Sequence, residues 1–203
     1  SDHPLYMGMV GMHGNVGPNV LTQETDLLIA VGMRFSDRIT GDLKAYATQA
    51  KVVHIDIDKS EIGKNVPVEV GIHADISDAL DEMLPRAQYQ NRNAWIGQFA
   101  EKYKYEFEQV IDRIINPTQS EMTMGEVVKH ITQRTGANAV VVTDVGQQQM
   151  IAARYSNFNR TRSFITSGGL GTMGYGLPAA IGAKIGVPDR QVVLFAGDGG
   201  IQM

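Results

Sequence analysis

Residues 27–31 read LLIAV and residues 51–58 read KVVHIDID, and these two stretches decide the fold. The first is a continuous apolar run that ends at Gly32, which is typical of a strand buried on both faces of a parallel sheet. The second is rich in β-branched residues and ends in acids. A short helix is predicted between them over residues 43–49. The order strand, helix, strand predicts a βαβ unit with parallel strands.

Helical patterns fill the middle of the chain. A helix is predicted over residues 76–87, with Asp75 or Ser77 as its cap. The longest helical pattern covers residues 91–115 and ends at Asn116 and Pro117. Apolar residues recur along it every three or four positions, at Ile96, Phe99, Tyr103, Phe107, Val110 and Ile114. We expect this helix to link two domains and to pack against its own protein.

A second series of strands and helices follows the long helix. A capping-box spacing at residues 123–126 predicts a helix through Ile131. Strands are predicted at residues 139–143, 163–166 and 191–196, and further helices at residues 147–155 and from Leu177 onward. The fold class is therefore α/β, with two three-layer domains that each contain a parallel sheet. The predicted division is a domain at 1–90, a linker helix at 91–117 and a second domain at 118–203.

Composition excludes several classes of function. The 203 residues are 43% hydrophobic and 20% charged, with a net charge of −4, which argues against nucleic acid as a partner. No apolar run approaches the roughly 18–20 residues of a membrane span. The absence of cysteine excludes disulfides, thiolate zinc sites and a thiol nucleophile. The sequence has no secretion signal, so the cytoplasm is the expected location, and its ends suggest an internal piece of a longer chain.

Glycine-rich turns near the C-terminus offer a phosphate and metal site. Residues 197–200 read GDGG directly after a predicted strand, where ligands bind in open α/β sheets. Glycines allow backbone amides to approach a phosphate, and Asp198 could hold Mg²⁺. Residues 146–149 read GQQQ after another strand, so their amides could hold a diphosphate at a helix start. Either stretch could also be an ordinary solvated turn.

A G-x-G-x-x-G spacing at Gly169, Gly171 and Gly174 suggests a nicotinamide nucleotide site as an alternative. A helix, a strand and Asp198 follow it in the expected order. The strand that precedes it is short, however, and glycines enclose the acid, which suits a metal and phosphate site better than a ribose contact. Tight packing of a helix on a sheet would also explain these glycines.

Polar loops flank the first strand as well. Residues 11–14 read GMHG and residues 34–38 read RFSDR. Two arginines after a strand end suit a bound diphosphate, although a solvated charged loop would look the same. Asp56, at the end of its strand, has the position of a carboxylate that binds a ribose.

Taken together, these residues resemble the catalytic subunits of the acetohydroxyacid synthase (acetolactate synthase) family, which depend on thiamine diphosphate. The resemblance covers essentially the whole chain. The segments that carry it are residues 11–14, 34–38, 54–58, 61–65, 169–183 and 197–203. The family usually has His where this chain has Gln148, Asp in place of Ser36, and Ser in place of Gly200.

The resemblance implies two cofactor sites and a metal. It places FAD on Gly11, Met12, His13, Gly14, Gly32, Arg34, Arg38, Asp56, Ile57 and Asp75. It places thiamine diphosphate on Val145, Gly146, Gln147, Gln148, Gly171, Met173, Asp198, Gly199 and Gly200. Mg²⁺ would lie on Asp198. The resemblance assigns no catalytic side chain to this chain, because the activating glutamate of the family lies in a domain that has no match here.

The resemblance also implies a reaction and partners. The reaction is decarboxylation of pyruvate and transfer of the hydroxyethyl unit to a second 2-ketoacid, pyruvate or 2-ketobutyrate, in branched-chain amino-acid synthesis. The family forms homodimers or tetramers and can bind a small regulatory subunit. Other readings are another enzyme of the same architecture, such as pyruvate oxidase or a 2-ketoacid decarboxylase, or an NAD-type nucleotide-binding module.

Overall fold

The computed structural model describes residues 3–118 and 121–203, which form α/β structure with two three-stranded sheets. The strands are β1 (Leu27–Val31), β2 (Lys51–Asp56), β3 (Val70–His73), β4 (Val140–Thr143), β5 (Phe164–Thr166) and β6 (Val192–Phe195). The helices are α1 (Val16–Glu24), α2 (Asp37–Thr40), α3 (Ile76–Met83), α4 (Asn93–Glu106), α5 (Asp112–Ile115), α6 (Met124–Arg134), α7 (Gln147–Tyr155) and α8 (Gly176–Gly186).

Two compact units make up the chain. The first unit is Val10–Lys102, and the second comprises Tyr103–Met203 with the described residues before Val10. Both sheets are entirely parallel, which confirms the predicted fold class. The division at 1–90, 91–117 and 118–203 stays a prediction. Within the described residues, every helix is too short or too polar to cross a membrane.

The sheet of the first unit has the order β1-β2-β3. Ala30 of β1 lies opposite His54 of β2, and His54 lies opposite Gly71 of β3. The third strand was not predicted, because it is only four residues long and contains a glycine. That glycine has a packing reason, since a Cβ at Gly71 would lie 2.6 Å from Cγ2 of Ile62.

The expectation that β1 is buried on both faces is wrong. Leu27, Ile29 and Val31 are each about half exposed, at 49%, 50% and 47%. Alternate residues of a strand point to opposite faces. On the other face Ile55 of β2, opposite Val31, is buried, but the main core of this unit packs on the face that carries Ala30. That core contains Ala30, Phe35, Tyr46, Ala47, Val52 and Val66.

The predicted helix at residues 43–49 is also wrong, since this stretch forms turns. The helix in this region is α2, which ends early at Gly41 with φ +61°. Ala47 adopts a left-handed φ of +43°, which a right-handed helix excludes. Its N–H donates instead to Oε1 of Gln23, at 2.7 Å. A distant side chain therefore overrides the local helical preference.

The helices predicted at residues 76–87 and 91–115 are largely present in the structure. Asp75 caps α3, because its Oδ1 accepts a hydrogen bond from the Ser77 N–H at 2.8 Å. The helix changes to a 3₁₀ turn at Leu84–Arg86, at Pro85. The long predicted helix is present as α4 and α5, joined by a π-helical turn at Phe107–Ile111 that the sequence pattern did not predict.

The face of the long helix that is buried in the second unit differs from the predicted one. Tyr103 and Val110, expected on the packed face, are exposed, whereas Glu106 and Ile111 are buried. Glu106 forms an ion pair with Arg154 of α7. A buried carboxylate needs such a partner, and the additional residue of the π turn shifts the apolar stripe that follows it.

The sheet of the second unit has the order β5-β4-β6, so β4 lies at its centre and all four of its residues are buried. The core joins this sheet to α6 and α7 through Val128, Val141 and Ala152. Thr123 caps α6 as predicted, and its Oγ1 accepts a hydrogen bond from the Glu126 N–H at 3.1 Å. Helix α6 runs to Arg134, three residues beyond the predicted end.

Two glycines of the second unit provide a matched test of this packing. A Cβ at Gly125 in α6 would collide with Cγ2 of Ile114, whereas nothing lies within 4 Å of a Cβ at Gly182 in α8. We expect Gly125→Ala to lower the free energy of unfolding by about 1–3 kcal/mol through overpacking. Gly182→Ala should raise it by about 0.4–1 kcal/mol, because it restricts the unfolded chain. Denaturant unfolding measures both, and equal effects would contradict the packing described for α6.

Candidate functional site

The predicted site residues of the first unit lie at one edge of its sheet. Gly32 and Arg34 follow the end of β1, Asp56 ends β2 and Ile57 follows it, and Asp75 comes two residues after β3. The three strands are parallel, so their carboxyl ends share this edge. The structure therefore brings together residues that are up to 43 positions apart, at the place where α/β sheets bind ligands.

The glycine loop at residues 11–14 is attached to α2, the short helix that follows β1. The Met12 N–H donates to the backbone oxygen of Arg38 at 2.9 Å. Gly11 has φ +89°, and a Cβ there would lie 2.9 Å from the same oxygen. The Asn19 side chain holds Gly11 from the other side, since it accepts from the Gly11 N–H at 2.7 Å and donates to its carbonyl at 3.0 Å. Only glycine fits this position.

A cleft of about 530 Å³ opens beside this attachment. It is lined by Gly11, Met12, Asn19, Gln23, Asp37, Arg38, Ile39, Thr40 and Gly41. Burial, reinforced by the Arg38 charge, lowers the pKa of His13 below its ordinary value. His13 is therefore neutral at pH 7, and Arg34 and Arg38 supply the positive charge at this edge. The exposed side chains of Arg34 and Arg38 suit the diphosphate of a dinucleotide, whereas the N–H groups of Gly11, Gly14 and Gly32 already donate to acceptors within the protein.

Asp56 is held in place from within its own strand and the loop after it. One of its oxygens accepts from the Asp58 N–H at 2.8 Å. The other lies 3.8 Å from Nε2 of His54, and both side chains are buried. The ring of His54 packs edge-on against Phe35, with 5.2 Å between the ring centroids. The carboxylate at the strand end is thus fixed, which a ribose-binding acid requires.

The second unit brings three predicted loops together around a residue that the sequence analysis did not assign to the site. Asp144 directly follows β4 and is fully buried. Its carboxylate accepts hydrogen bonds from the N–H groups of Val145 at 2.6 Å, Gly174 at 3.1 Å and Gly176 at 3.1 Å. The sequence did contain an indication of this role, because Asp144 follows the apolar run at residues 139–143. An acid at such a position must either be solvated or be satisfied by hydrogen bonds.

The GQQQ stretch lies next to the GDGG turn. Gly146 precedes α7 with φ +149°, and a Cβ there would lie 2.5 Å from Oε1 of Gln148. Gln148 donates to the Val145 carbonyl at 3.2 Å. Its amide nitrogen is 3.5 Å from the position of a Cβ on Gly197. The first N–H groups of α7 have no acceptors within the helix. The start of α7 and the turn after β6 therefore form one cradle of backbone and side-chain amides.

Met173 borders the same turn. Its Cε is 3.6 Å from the position of a Cβ on Gly199. Gly171, two residues earlier, has a left-handed φ of +64°. Both residues belong to the loop that leads to Gly174, which Asp144 holds. The loops that carry Gly146, Met173 and Gly199 therefore meet at the carboxyl ends of β4 and β6.

Asp198 is exposed at the tip of the turn. The described residues contain no cluster of three histidines, aspartates or glutamates that could enclose a metal ion. A lone exposed carboxylate suits Mg²⁺, which is commonly bound by one or two carboxylates together with phosphate oxygens and water. The donor set therefore fits a magnesium ion shared with a diphosphate, and it does not fit a cage made by protein alone.

The topology disfavours the nicotinamide alternative. A dinucleotide fingerprint belongs to a unit in which the two strands around the helix are neighbours. Here α8 connects β5 to β6, and β4 lies between them. Gly174 and Gly176 also use their N–H groups to bind Asp144. These glycines fit tight packing around a carboxylate better than they fit a bound pyrophosphate.

Two family descriptions match the two ends of the chain. Residues 1–83 match "Thiamine pyrophosphate enzyme, central domain", and residues 144–203 match "Thiamine pyrophosphate enzyme, C-terminal TPP binding domain". Thiamine pyrophosphate is another name for thiamine diphosphate. The second match begins at Asp144 and includes all three loops that meet in the second unit.

Similar proteins come from archaea, bacteria and plants. A probable acetolactate synthase large subunit of Methanococcus aeolicus is 43% identical over 100% of this chain and 36% of its own length. The acetolactate synthase isozyme 1 large subunit of Escherichia coli K12 is 43% identical over 99% of this chain and 35% of its own length. Acetolactate synthase 1 of Nicotiana tabacum is 42% identical over 98% of this chain and 30% of its own length. The chain spans about a third of the length of these relatives. It belongs to the thiamine pyrophosphate enzymes and is similar along essentially its whole length to acetolactate synthase large subunits.

Proposed function

We propose that the protein is the catalytic subunit of an acetolactate synthase. It would decarboxylate pyruvate and transfer the hydroxyethyl unit to pyruvate or 2-ketobutyrate, as a step of valine, leucine and isoleucine synthesis. The observation that carries the proposal is the meeting of the Gly146, Met173 and Gly199 loops at the carboxyl ends of β4 and β6. Similarity to named synthases along essentially the whole chain supports it.

The second unit would hold thiamine diphosphate and Mg²⁺. The cofactor supplies the carbanion chemistry when bound. The amides at Gly146, Gln147 and Gln148, together with Gly199 and Gly200, would bind the diphosphate. Val145, whose N–H donates to Asp144, would line the site through its other atoms. Asp198 would bind Mg²⁺, and Gly171 and Met173 would support the aminopyrimidine ring. A flexible thioether suits such a support, because it adapts to the ring surface.

The first unit would hold FAD, which the main reaction does not consume. Arg34 and Arg38 would pair with its diphosphate, and Asp56 would accept hydrogen bonds from a ribose. The remaining proposed contacts are Gly11, Met12, His13, Gly14, Gly32, Ile57 and Asp75. The attachment of the glycine loop to Arg38 supports this assignment, because it fixes two of these segments relative to each other.

The proposed partners follow from the relatives. Several are named large subunits, so we propose that a small regulatory subunit binds this protein. We also propose a homodimer or tetramer in the cytoplasm. A pyruvate oxidase or a 2-ketoacid decarboxylase would share this architecture. Product analysis of the intact protein with pyruvate separates them, since only a synthase yields acetolactate as its main product.

The flavin assignment can be tested at Arg34. Arg34→Ala in the intact protein should weaken FAD binding by about 1.5–3 kcal/mol, because a charge-assisted bond to phosphate is lost. Thiamine diphosphate affinity should not change. Arg86→Ala is the matched control, because this exposed arginine pairs with Glu82 on α3 and should leave both affinities unchanged. Equal FAD content in Arg34→Ala and wild type would contradict the assignment.

The metal assignment can be tested at Asp198. Asp198→Ala should abolish Mg²⁺-dependent binding of thiamine diphosphate and acetolactate formation, because the only assigned protein carboxylate for the metal is lost. Asp189→Ala, at another exposed aspartate of the second unit, should leave both intact. Calorimetric titration with thiamine diphosphate at fixed Mg²⁺ measures the binding. Unchanged affinity in Asp198→Ala would place the metal elsewhere.

A polypeptide of these 203 residues alone should make no acetolactate, even with thiamine diphosphate, Mg²⁺ and FAD present. No acid or base is assigned to activate the cofactor. Between Gly168 and Met203 the acids are Asp189 and Asp198, and the only lysine, Lys184, donates to the carbonyls of Pro188 and Arg190. The assay is acetolactate formation from pyruvate. Production above a control without protein, lost in Asp198→Ala, would contradict this expectation.

A further inference from the structure

Asp144 is fully buried and accepts hydrogen bonds from three backbone N–H groups, and the proposed function gives it no role. Its Oδ1 accepts from Val145 and Gly174, and its Oδ2 accepts from Gly174 and Gly176. These N–H groups belong to two chain segments about 30 residues apart. The carboxylate thus joins the start of the GQQQ turn to the loop that carries Met173.

The GDGG turn packs against the same carboxylate. A Cβ at Gly200 would lie 2.8 Å from Cγ of Asp144, and a Cβ at Gly176 would lie 2.9 Å from its Cβ. Both backbones therefore approach Asp144 more closely than a side chain would allow. One side chain contacts all three loops whose relative placement creates the cradle.

A carboxylate is the side chain that suits this position. All of its described partners are N–H donors, and Gly176 is the first residue of α8, where the positive end of the helix dipole favours an anion. An amide in its place would turn an N–H₂ donor toward these donors and leave at least one buried N–H without an acceptor. Leaving a buried donor unsatisfied carries the full cost of its desolvation.

We propose that Asp144 is a positioning residue for the thiamine diphosphate site. It sets Met173 and the Gly197–Gly200 turn at the distance that a bound diphosphate and aminopyrimidine require, without contacting the cofactor. Asp144 positions Met173 through its hydrogen bond to Gly174, the next residue in the chain. It positions Asp198 through its contact with Gly200, two residues further on. This inference rests on the proposed function.

The test is Asp144→Asn in the intact protein. The apparent KM for thiamine diphosphate at saturating Mg²⁺ should rise at least about tenfold, which corresponds to the loss of one hydrogen bond to a charged group. FAD affinity and the KM for pyruvate should stay within about threefold, because the first unit and the substrate contacts do not change. A merely structural role would reduce the amount of active protein, and hence the apparent kcat, and leave the KM for thiamine diphosphate unchanged.

Thr143→Val is the matched control. Thr143 is the buried neighbour of Asp144 on β4, and its hydroxyl donates to Oγ1 of Thr166 at 2.8 Å. The Thr143→Val variant should lower the midpoint of thermal unfolding without raising the KM for thiamine diphosphate. If Asp144→Asn does not fold, Gly176→Ala carries the test, because its added methyl group displaces the carboxylate without removing it. Gly176→Ala should raise the KM for thiamine diphosphate at least about threefold. The expected rise is smaller than for Asp144→Asn, because the carboxylate is shifted but still present.

The outcomes separate the inference from the proposed function. A wild-type protein that does not bind thiamine diphosphate with Mg²⁺ would overturn the proposed function, and this inference with it. A wild-type protein that binds the cofactor, with an unchanged KM in Asp144→Asn or in its substitute Gly176→Ala, would overturn the inference alone. An equal rise of the KM in Thr143→Val would also overturn it, since general loosening of β4 would then explain the effect.

Discussion

Parallel pairing of the strands is the constraint on which both candidate sites depend. Every strand pair in the two sheets is parallel, so all carboxyl ends of a sheet lie at one edge. Loops that are far apart in the chain meet there because the backbone hydrogen bonds fix the strands in register. In the first unit this edge gathers Gly32, Arg34, Asp56 and Asp75. In the second it gathers the loops around Gly146 and Gly199.

Close backbone approach then gives each edge its shape. Gly11 must lack a side chain because the Arg38 carbonyl oxygen lies 2.9 Å from the position of a Cβ, and Gly176 must lack one because Asp144 lies equally close. In the first unit a backbone hydrogen bond between Met12 and Arg38 fixes the loops. In the second unit a buried carboxylate does so. A carboxylate accepts several bonds at once, and it can therefore organise three loops where a single backbone bond joins two.

The long helix shows how a buried charge affects local structure. The apolar period of α4 and α5 is regular, yet the π turn begins at Phe107, directly after the buried Glu106. The ion pair with Arg154 holds this helix against α7, whose N-terminal turn belongs to the candidate diphosphate site. Within the second unit, the linker helix therefore packs against α7, the helix whose N-terminal turn carries the GQQQ amides.

Local sequence determined most elements of this protein. Apolar runs and caps placed β1, β4 and α7, identified Thr123 as a cap and left Asp75 and Ser77 as the two candidates for another, because these signals depend on neighbours a few residues away. The order of strands and helices also determined that the sheets are parallel, and the motifs indicated the loops that form both candidate sites.

Tertiary structure decided what depends on distant partners. The turn at residues 43–49 follows from Gln23, the short strand β3 forms only because β2 offers it a partner, and the exposed face of β1 reflects where the core lies. Asp144 gained its position from Gly174 and Gly176, about 30 residues away, and from Gly200, further still. No local pattern encodes such a meeting, because the free energy that satisfies a buried carboxylate comes from groups that only the folded chain brings together.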